Sequence, residues 1–432
     1  MAPNYKADDQ MPAYSEAVKS GLYAKKSGLT GKYDNVRRYW EDEITRHFLY
    51  RPIHQAVERC RCEMRRLRIM DLGCGSADGY ELLAGIRDRD SDLQDDEVHL
   101  LDPDVLGLYH GTDLNEDLLD QGRAIYGNDP KLRFSQADFS QGIPIEKGDK
   151  PYDLYFTSFG TCSHHTDDRS FVRMMTDIAR KTESYAVVVC DWLGRYSYEW
   201  QTLWTNDPSQ NRVMDYVVSY IYDKEEREQR RDELQHLNLR LMSRPEIDKL
   251  IAQASQRAKV EIKPTRFFDR SVFVGRHLDT GEYNPHAQPI RAAVNSLHEP
   301  NQRTDLSTLL INYCPREGFE TINDYFENLQ LCWNTVVKDA MKQLVNYNPD
   351  RQEYMEKPPP IPNSYPQVLR TALERMRRII EGVGWLHAGL PRENIIEPQL
   401  GYALRSLEMG LQRGQGCSHG LVGVFEIDKT GK

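Results

Sequence analysis

The sequence predicts an α/β fold: a seven-stranded, mostly parallel sheet whose last strand is antiparallel, followed by a mostly helical C-terminal region. Two observations predict it. Short apolar runs alternate with helical patterns between residues 67 and 275, and this alternation is typical of a parallel sheet with helices on both faces. From about residue 284 the alternation stops and helical patterns dominate.

Seven apolar runs are the predicted strands, at residues 67–72, 108–114, 132–137, 153–159, 185–192, 259–267 and 271–275. Helices are predicted at residues 33–66, 115–126, 168–181 and 244–257. The last of them is preceded by Ser243, with Glu246 three residues later, which is a capping-box pattern. Because only a few residues separate the last two runs, they predict an antiparallel hairpin.

The chain divides into three predicted parts. Residues 1–66 are expected to form an N-terminal arm and lid helices, residues 67–283 the sheet domain, and residues 284–432 a helical C-terminal domain. Within the sheet domain, the insert 195–242 follows the fifth strand, so it should lie at the carboxyl edge of the sheet, where ligands bind in such folds. Residues 305–347 and 365–382 look helical, and residues 421–427 predict one short strand.

Composition excludes several classes of protein. The formal net charge of the 432 residues is −10, which argues against a broad surface for nucleic acid or an anionic membrane. The apolar runs are too short to cross a bilayer, and the N-terminus lacks the apolar core of a secretory signal. The eight cysteines fit neither a disulfide framework nor a zinc site. We therefore expect a cytoplasmic protein with free thiols and without a metal site.

The strongest chemical signal is R-I-M-D-L-G-C-G-S-A-D-G at residues 68–79. Gly73 allows a tight turn after the first strand, and Gly75 lets a ligand approach the backbone. Asp71, directly before the glycines, would repel a pyrophosphate but attract an ammonium group. The turn therefore favours a ligand with a cationic amino-acid part over a dinucleotide.

Two further strand ends carry matching groups. Asp113 ends the second strand, where a carboxylate accepts both hydroxyls of a ribose. Asp138 and Phe139 follow the third strand, where they can accept from an exocyclic amine and pack on a purine. One site thus offers places for an amino acid, a ribose and an adenine.

On these motifs, residues 33–279 resemble the class I S-adenosylmethionine-dependent methyltransferases, which have a Rossmann-like fold. The run Asp-Leu-Gly-Cys-Gly-Ser matches the first motif of that family closely. The resemblance implies S-adenosyl-L-methionine as cofactor, with its methionine along the glycine turn, its amino group toward Asp71, its ribose on Asp113 and its adenine beside Leu114, Asp138 and Phe139. The residues implied in cofactor binding are Asp71, Gly73, Cys74, Gly75, Asp113, Leu114, Asp138, Phe139, Ser158, Phe159 and, in the lid, Tyr33.

Candidate catalytic residues follow the fourth and fifth strands. His164 and His165 could act as a general base or orient a substrate. Alternatively, this segment is only a helix start capped by Asp167 or Asp168, or part of a metal site. Asp191 ends the fifth strand and could orient the substrate or cap the turn that follows.

The residues after the fourth strand also narrow the acceptor. Ser158-Phe159-Gly160-Thr161 differs from the Asn/Asp-Pro-Pro-Tyr/Phe of amino-methylating enzymes that act on nucleic acids. Cys162 lacks the preceding proline of cytosine-ring enzymes. We therefore expect methyl transfer to an oxygen or nitrogen of a small-molecule acceptor. Two alternatives stay open: a non-catalytic regulatory protein that binds the donor, and a nucleotide-dependent oxidoreductase. The C-terminal region is expected to help form a substrate lid or a homodimer contact.

Overall fold

The computed structural model describes residues 11–19, 21, 23, 27–88, 98–145, 148–207, 212–348, 350–386 and 389–430. The first ten residues of the predicted arm lie outside this range. The strands are β1 Leu67–Leu72, β2 Leu106–Asp113, β3 Leu132–Gln136, β4 Leu154–Phe156, β5 Tyr185–Gly194, β6 Val213–Val217, β7 His236–Met242, β8 Lys263–Arg270, β9 Tyr347–Asn348, β10 Glu353–Tyr354 and β11 Gly420–Asp428.

The α-helices are α1 Met11–Lys19, α2 Asp42–Cys62, α3 Asp78–Ala84, α4 Glu116–Tyr126, α5 Asp168–Lys181, α6 Lys224–Gln229, α7 Arg244–Ala258, α8 Ile290–Leu297, α9 Glu320–Asn346, α10 Gln367–Gly382 and α11 Glu397–Leu411. The capping box at Ser243 and Glu246 is present at the start of α7. A π-helical turn, Arg37–Glu41, leads into α2. None of the described helices is long and apolar enough to cross a membrane.

The central sheet has the strand order β3-β2-β1-β4-β5-β11-β8. Strands β1 to β5 are mutually parallel, whereas β11 runs antiparallel to both of its neighbours, β5 and β8. The predicted fold class is therefore confirmed: seven strands follow this path and one of them is antiparallel. Strand β7 adds a short parallel pairing to the end of β5, and β6 pairs antiparallel with β7.

The predicted hairpin of residues 259–267 and 271–275 is wrong. The first run contains β8, but Ser271 has a φ of +64° and turns the chain out of the sheet. Val272, Phe273 and Val274 are buried in the core, and the Phe273 ring packs on Phe326 and Trp333 of α9. These residues are apolar because they pack under the C-terminal helices, and the antiparallel strand is β11, from the end of the chain.

The C-terminal region has more structure than the two predicted helices. Helices α8 and α11 are additional, and the helix expected over residues 305–347 begins at Glu320. Trp40, before α2, packs on Trp333 of α9 with ring centroids 5.7 Å apart, and its indole N–H donates to Glu408 of α11 over 3.2 Å. The three-part division of the chain stays a prediction, but β11 lies within the sheet.

This topology brings the ends of several strands together at one edge of the sheet. Parallel strands β1, β2, β3, β4 and β5 end at the same edge of the sheet, and the antiparallel β11 begins there. The segments after these strands therefore converge, as the rule for open α/β sheets predicts.

Candidate functional site

A cavity of about 600 Å³ opens at the carboxyl edge of the sheet. Its walls come from the turn after β1, the end of β2, and the segments that follow β3 and β4. Tyr14, Tyr23 and Lys32 of the N-terminal segment complete the wall. Helix α1 is held near α4 because the Asn115 side chain donates to the Ser15 hydroxyl over 3.0 Å.

The glycine turn forms the floor of the cavity. Gly73 and Gly75 have φ values of +71° and +55°, which a residue with a side chain adopts only at a cost. Among the described residues, a Cβ atom built on Gly75 would have only Leu118 within 4 Å. A side chain at Gly75 would therefore project into the open space where a ligand can approach the backbone.

Asp113 is oriented by the backbone around it. Its Oδ2 atom accepts from the Gly75 N–H over 2.8 Å, and its Oδ1 atom accepts from the Asn115 N–H over 2.9 Å. Burial raises the pKa of Asp113, while these two hydrogen bonds lower it. The carboxylate thus has a fixed direction in the cavity wall, next to Leu114.

Asp138 and Phe139 lie further along the same wall. Asp138 caps a 3-10 turn by accepting from the Ser140 N–H over 2.9 Å. The Phe139 ring meets His165 edge-on, with ring centroids 5.1 Å apart. The wall therefore presents an aromatic face beside a carboxylate.

Asp71 lies beneath the glycine turn rather than in the cavity wall. It is fully buried, and the Tyr109 hydroxyl donates to its Oδ2 atom over 2.6 Å. Burial raises the pKa of Asp71 to about 7. Its Oδ1 atom has no hydrogen-bond partner in the described part of the chain, and its role toward an amino group stays a prediction.

His164 and His165 both line the cavity, at the end of a 3-10 turn after β4. Burial lowers the pKa of His164 to about 4 and that of His165 to about 3, so both imidazoles are neutral at pH 7. Neither ring nitrogen of His165 has a hydrogen-bond partner among the described residues. Asp167, not a histidine, caps α5.

Asp191 lies behind the cavity rather than in its wall. Its Oδ2 atom accepts from the Phe159 N–H over 2.8 Å and pairs with an Arg270 nitrogen at 2.8 Å. Phe159 itself lines the cavity with a φ of +54°, and its ring stacks on the Arg37 guanidinium at 3.4 Å. Asp191 therefore supports the backbone of Phe159 from behind the cavity, and its role toward a substrate stays a prediction.

The structure brings most of the predicted residues together. Those in the wall of one cavity are Gly73, Cys74, Gly75, Asp113, Leu114, Asp138, Phe139, Ser158, Phe159, His164 and His165. Tyr33 lies just outside it and donates its hydroxyl hydrogen to Asp78 over 2.8 Å. Asp78 and Lys32 line the cavity, and the sequence reasoning missed both. Asp78 lies within the glycine motif at residues 68–79, so the motif could have indicated it. No sequence pattern indicates that Lys32 pairs with it.

Among the described residues, no group of three or more His, Cys, Asp or Glu side chains could hold a metal ion. Every cysteine is free. The ionisable groups of the cavity wall are therefore carboxylates, neutral imidazoles, tyrosines, a lysine and two arginines, Arg169 and Arg173.

No protein-family model and no curated protein matches the chain in sequence. Among solved structures, a methyltransferase of Haloferax volcanii in complex with its activator Trm112 is 16% identical, with 62% of this chain and 80% of that chain covered and a TM-score of 0.32. CalS10, an amino pentose methyltransferase from Micromonospora echinaspora, is 14% identical, with 62% and 93% covered and a TM-score of 0.32.

The magnesium protoporphyrin IX methyltransferase of Synechocystis is 11% identical, with 62% of this chain and 92% of that chain covered and a TM-score of 0.32. Each is a protein that this chain is similar to.

Proposed function

We propose that this protein is an S-adenosylmethionine-dependent methyltransferase that acts on an oxygen or nitrogen of a small-molecule acceptor. The observation that supports this most is the Asp113 carboxylate, fixed in the cavity wall by the N–H groups of Gly75 and Asn115. A carboxylate at the end of the second strand suits the two hydroxyls of a ribose. Asp138 and Phe139, further along the wall, suit an adenine.

The cavity fits this cofactor at several points. The open side of Gly75 leaves the backbone accessible, and Asp113 and Asp138 offer acceptors in the order of a ribose and an adenine. When bound, the cofactor supplies a methyl group activated by a sulfonium. The protein then has to align the acceptor, exclude water and take a proton where the acceptor carries one.

The segment after β4 is placed for these tasks. Ser158 and Phe159 would border the reacting methyl group, and the stacking of Phe159 on Arg37 keeps that border rigid. His164 and His165 are neutral at pH 7 and can each accept a proton. Tyr14 of α1 lies 3.5 Å from the Nε2 atom of His164, so the N-terminal helix covers this end of the cavity.

One observation favours a second candidate, a regulatory protein that binds the donor without catalysis. The burial that keeps both histidines neutral also makes them weak bases, with pKa values of about 4 and 3. A weak base contributes less to proton removal at neutral pH. The two functions share donor binding and differ only in turnover.

Calorimetry with S-adenosylhomocysteine tests the shared part. We expect binding to the wild-type chain, and Asp113→Ala should weaken it by about 1–3 kcal/mol through lost charge-assisted hydrogen bonds. Asp120→Ala, at an exposed position on the neighbouring α4, is the matched control and should bind like the wild type. A wild-type chain that does not bind S-adenosylhomocysteine would refute the proposal.

Turnover separates the two candidates. Mass spectrometry of small molecules that co-purify with the chain supplies acceptors to assay with a labelled methyl donor. If a histidine acts as the base, His164→Gln or His165→Gln should lower the methylation rate about 100-fold while donor binding persists. Rates within a few-fold of wild type for both variants would leave alignment as the whole mechanism, and no product with any acceptor would favour the regulatory protein.

A further inference from the structure

An ion pair lines the cavity beside the glycine turn. The Nζ atom of Lys32 lies 2.6 Å from the Oδ2 atom of Asp78, and both residues belong to the cavity wall. Their side chains are only 7% and 11% exposed. A pair so little exposed is costly to bury, so its position in a ligand cavity calls for a chemical explanation.

The groups around this pair fix both charges in place. The Tyr33 hydroxyl donates to the Oδ1 atom of Asp78 over 2.8 Å. The Lys32 ammonium lies 3.8 Å from the centroid of the Tyr23 ring and 5.2 Å from that of Tyr33, within the range of cation–π attraction. The pair is thus a preorganised positive and negative charge side by side.

Each partner keeps unused capacity for hydrogen bonds. An ammonium has three donors, and among the described residues Asp78 takes one of them. A carboxylate has about four acceptor positions, of which Lys32, Tyr33 and, at 3.4 Å, the Ser76 hydroxyl occupy three. The exposed remainder of both side chains faces the cavity that they line. The ligand that complements such a pair carries a carboxylate and an ammonium close together.

From this geometry we propose that Lys32 and Asp78 form the subsite for an α-amino acid zwitterion, that of the methyl donor. Lys32 receives the carboxylate and Asp78 receives the ammonium, so four charges alternate in a closed ring. This inference rests on the proposed function, because the donor is the ligand that carries the zwitterion. It also assigns binding of the amino group to Asp78, which lies in the cavity wall, instead of to Asp71, which lies outside it.

An α-amino acid acceptor would present the same pair of charges. The position of the ion pair favours the donor, because Lys32 and Asp78 share the wall with Gly73, Cys74 and Gly75. Asp113, the proposed partner of the ribose hydroxyls, accepts a hydrogen bond from the Gly75 N–H in that same turn. A donor whose ribose lies on Asp113 therefore has its amino-acid end next to the turn and the ion pair.

The test compares two ligands that share the adenosine and the sulfur and differ in the amino-acid end. S-adenosylhomocysteine carries it, whereas 5′-methylthioadenosine has the same adenosine and sulfur without it. Calorimetry would measure both with the wild-type chain, Lys32→Met and Asp78→Asn. Lys249→Met on α7 and Asp324→Asn on α9 are matched controls at exposed positions.

We expect both variants to weaken S-adenosylhomocysteine by at least about tenfold, the effect of losing a hydrogen bond to a charged group. Binding of 5′-methylthioadenosine should stay within about twofold, since it does not reach the pair. If the substitutions lower the affinity for both ligands equally, the ion pair has only a structural role and the inference is wrong. If neither substitution lowers the affinity for either ligand, the ion pair does not bind the zwitterion of the donor. The inference is then wrong, while the proposed function stands.

A second measurement needs no variant, since removing one partner of a buried pair can unfold a protein. The methyl ester of S-adenosylhomocysteine lacks the carboxylate charge and should bind the wild-type chain at least about tenfold more weakly than the parent ligand. Equal affinity would overturn the role of Lys32. A wild-type chain that binds none of the three ligands would refute the proposed function itself.

Discussion

Asp191 illustrates how a polar residue at a strand end can serve a site that it does not touch. Its carboxylate holds the Phe159 N–H and pairs with Arg270, and the side chains of the pair are each 3% exposed. Phe159, with its positive φ, sits in a conformation that costs free energy unless its surroundings enforce it. Asp191 is one of the groups that enforce it.

The variant Asp191→Asn tests this support. It keeps the shape but removes the charge, which leaves the Arg270 guanidinium buried beside a neutral partner. We expect the free energy of unfolding to fall by about 3–5 kcal/mol, measured by urea denaturation. Asp428→Asn breaks a much more exposed pair with Arg59 and should cost no more than about 1 kcal/mol. Equal losses for the two variants would contradict the buried role of Asp191.

The buried His165 predicts a pH dependence of stability. Its pKa is about 3 in the folded chain against about 6.5 in an unfolded one, so between these values the unfolded state binds more protons. The free energy of unfolding should therefore fall as the pH drops below about 6.5. His165→Gln lacks this contribution, so it should lose less stability than the wild type between pH 7 and pH 5. Identical pH slopes in denaturation would show that His165 is not buried in the neutral form.

At the scale of single residues, the sequence predicted those whose role follows from the local backbone, but it did not predict ion pairs between residues that are distant in sequence. Gly73, Gly75 and Asp113 could be predicted because a tight turn and a strand end impose local requirements that a motif displays. The pairing of Lys32 with Asp78 depends on how the N-terminal segment folds over α3. No local pattern encodes that contact, so sequence reasoning missed it.

Among the elements, β11 is the one whose place the sequence concealed. Its apolar pattern at residues 421–427 was predicted as a strand, but the short spacing between residues 259–267 and 271–275 predicted that those two runs form the antiparallel hairpin. Hydrophobic runs indicate burial, and residues 272–274 are buried without being a strand. Local pattern cannot distinguish the two cases, because which run pairs with β5 and β8 is decided by contacts distant in sequence.

Removal of β11 should therefore disrupt the sheet rather than trim the chain. A stop after His419 leaves the facing edges of β5 and β8 unpaired and uncovers the apolar residues that β11 buries. We expect this truncated chain to aggregate, and the fragment 1–283, which also lacks β11, should do the same. Size-exclusion chromatography and binding of a hydrophobic dye would measure it.

The matched control for this truncation is a stop after Thr430, which keeps the whole of β11 and should behave as the full chain. A soluble, monomeric chain that ends at His419, with the unfolding midpoint of the full chain, would contradict the role assigned to β11. A soluble and fully active 1–283 fragment would show in addition that the C-terminal region is an independent module.

For the molecule as a whole, a buried polar network connects the N-terminal segment to the region after β8. Arg291 of α8 pairs with Asp34 and with Glu41, at 2.7 Å in each case, and donates to the carbonyl of Val274 over 2.7 Å. Glu41 also pairs with Arg276 at 3.2 Å. The segment that carries Lys32 and Tyr33 is thus anchored to α8, so the cavity wall depends on the C-terminal region.

The variant Arg291→Met tests that dependence. It leaves Asp34 and Glu41 buried, each without its nearest counter-charge, so the free energy of unfolding should fall by about 3–5 kcal/mol. Arg378→Met, at an exposed position on α10, is the matched control and should stay within about 0.5 kcal/mol of the wild type.

Because Arg291 and Asp34 are in contact, the double variant Arg291→Met with Asp34→Asn should lose less than the sum of the single losses. Binding of S-adenosylhomocysteine should also weaken in Arg291→Met, since Asp34 lies two residues from Lys32 and loses its anchor. Strictly additive losses in urea denaturation, with unchanged ligand affinity, would mean that the network neither acts as a unit nor supports the cavity.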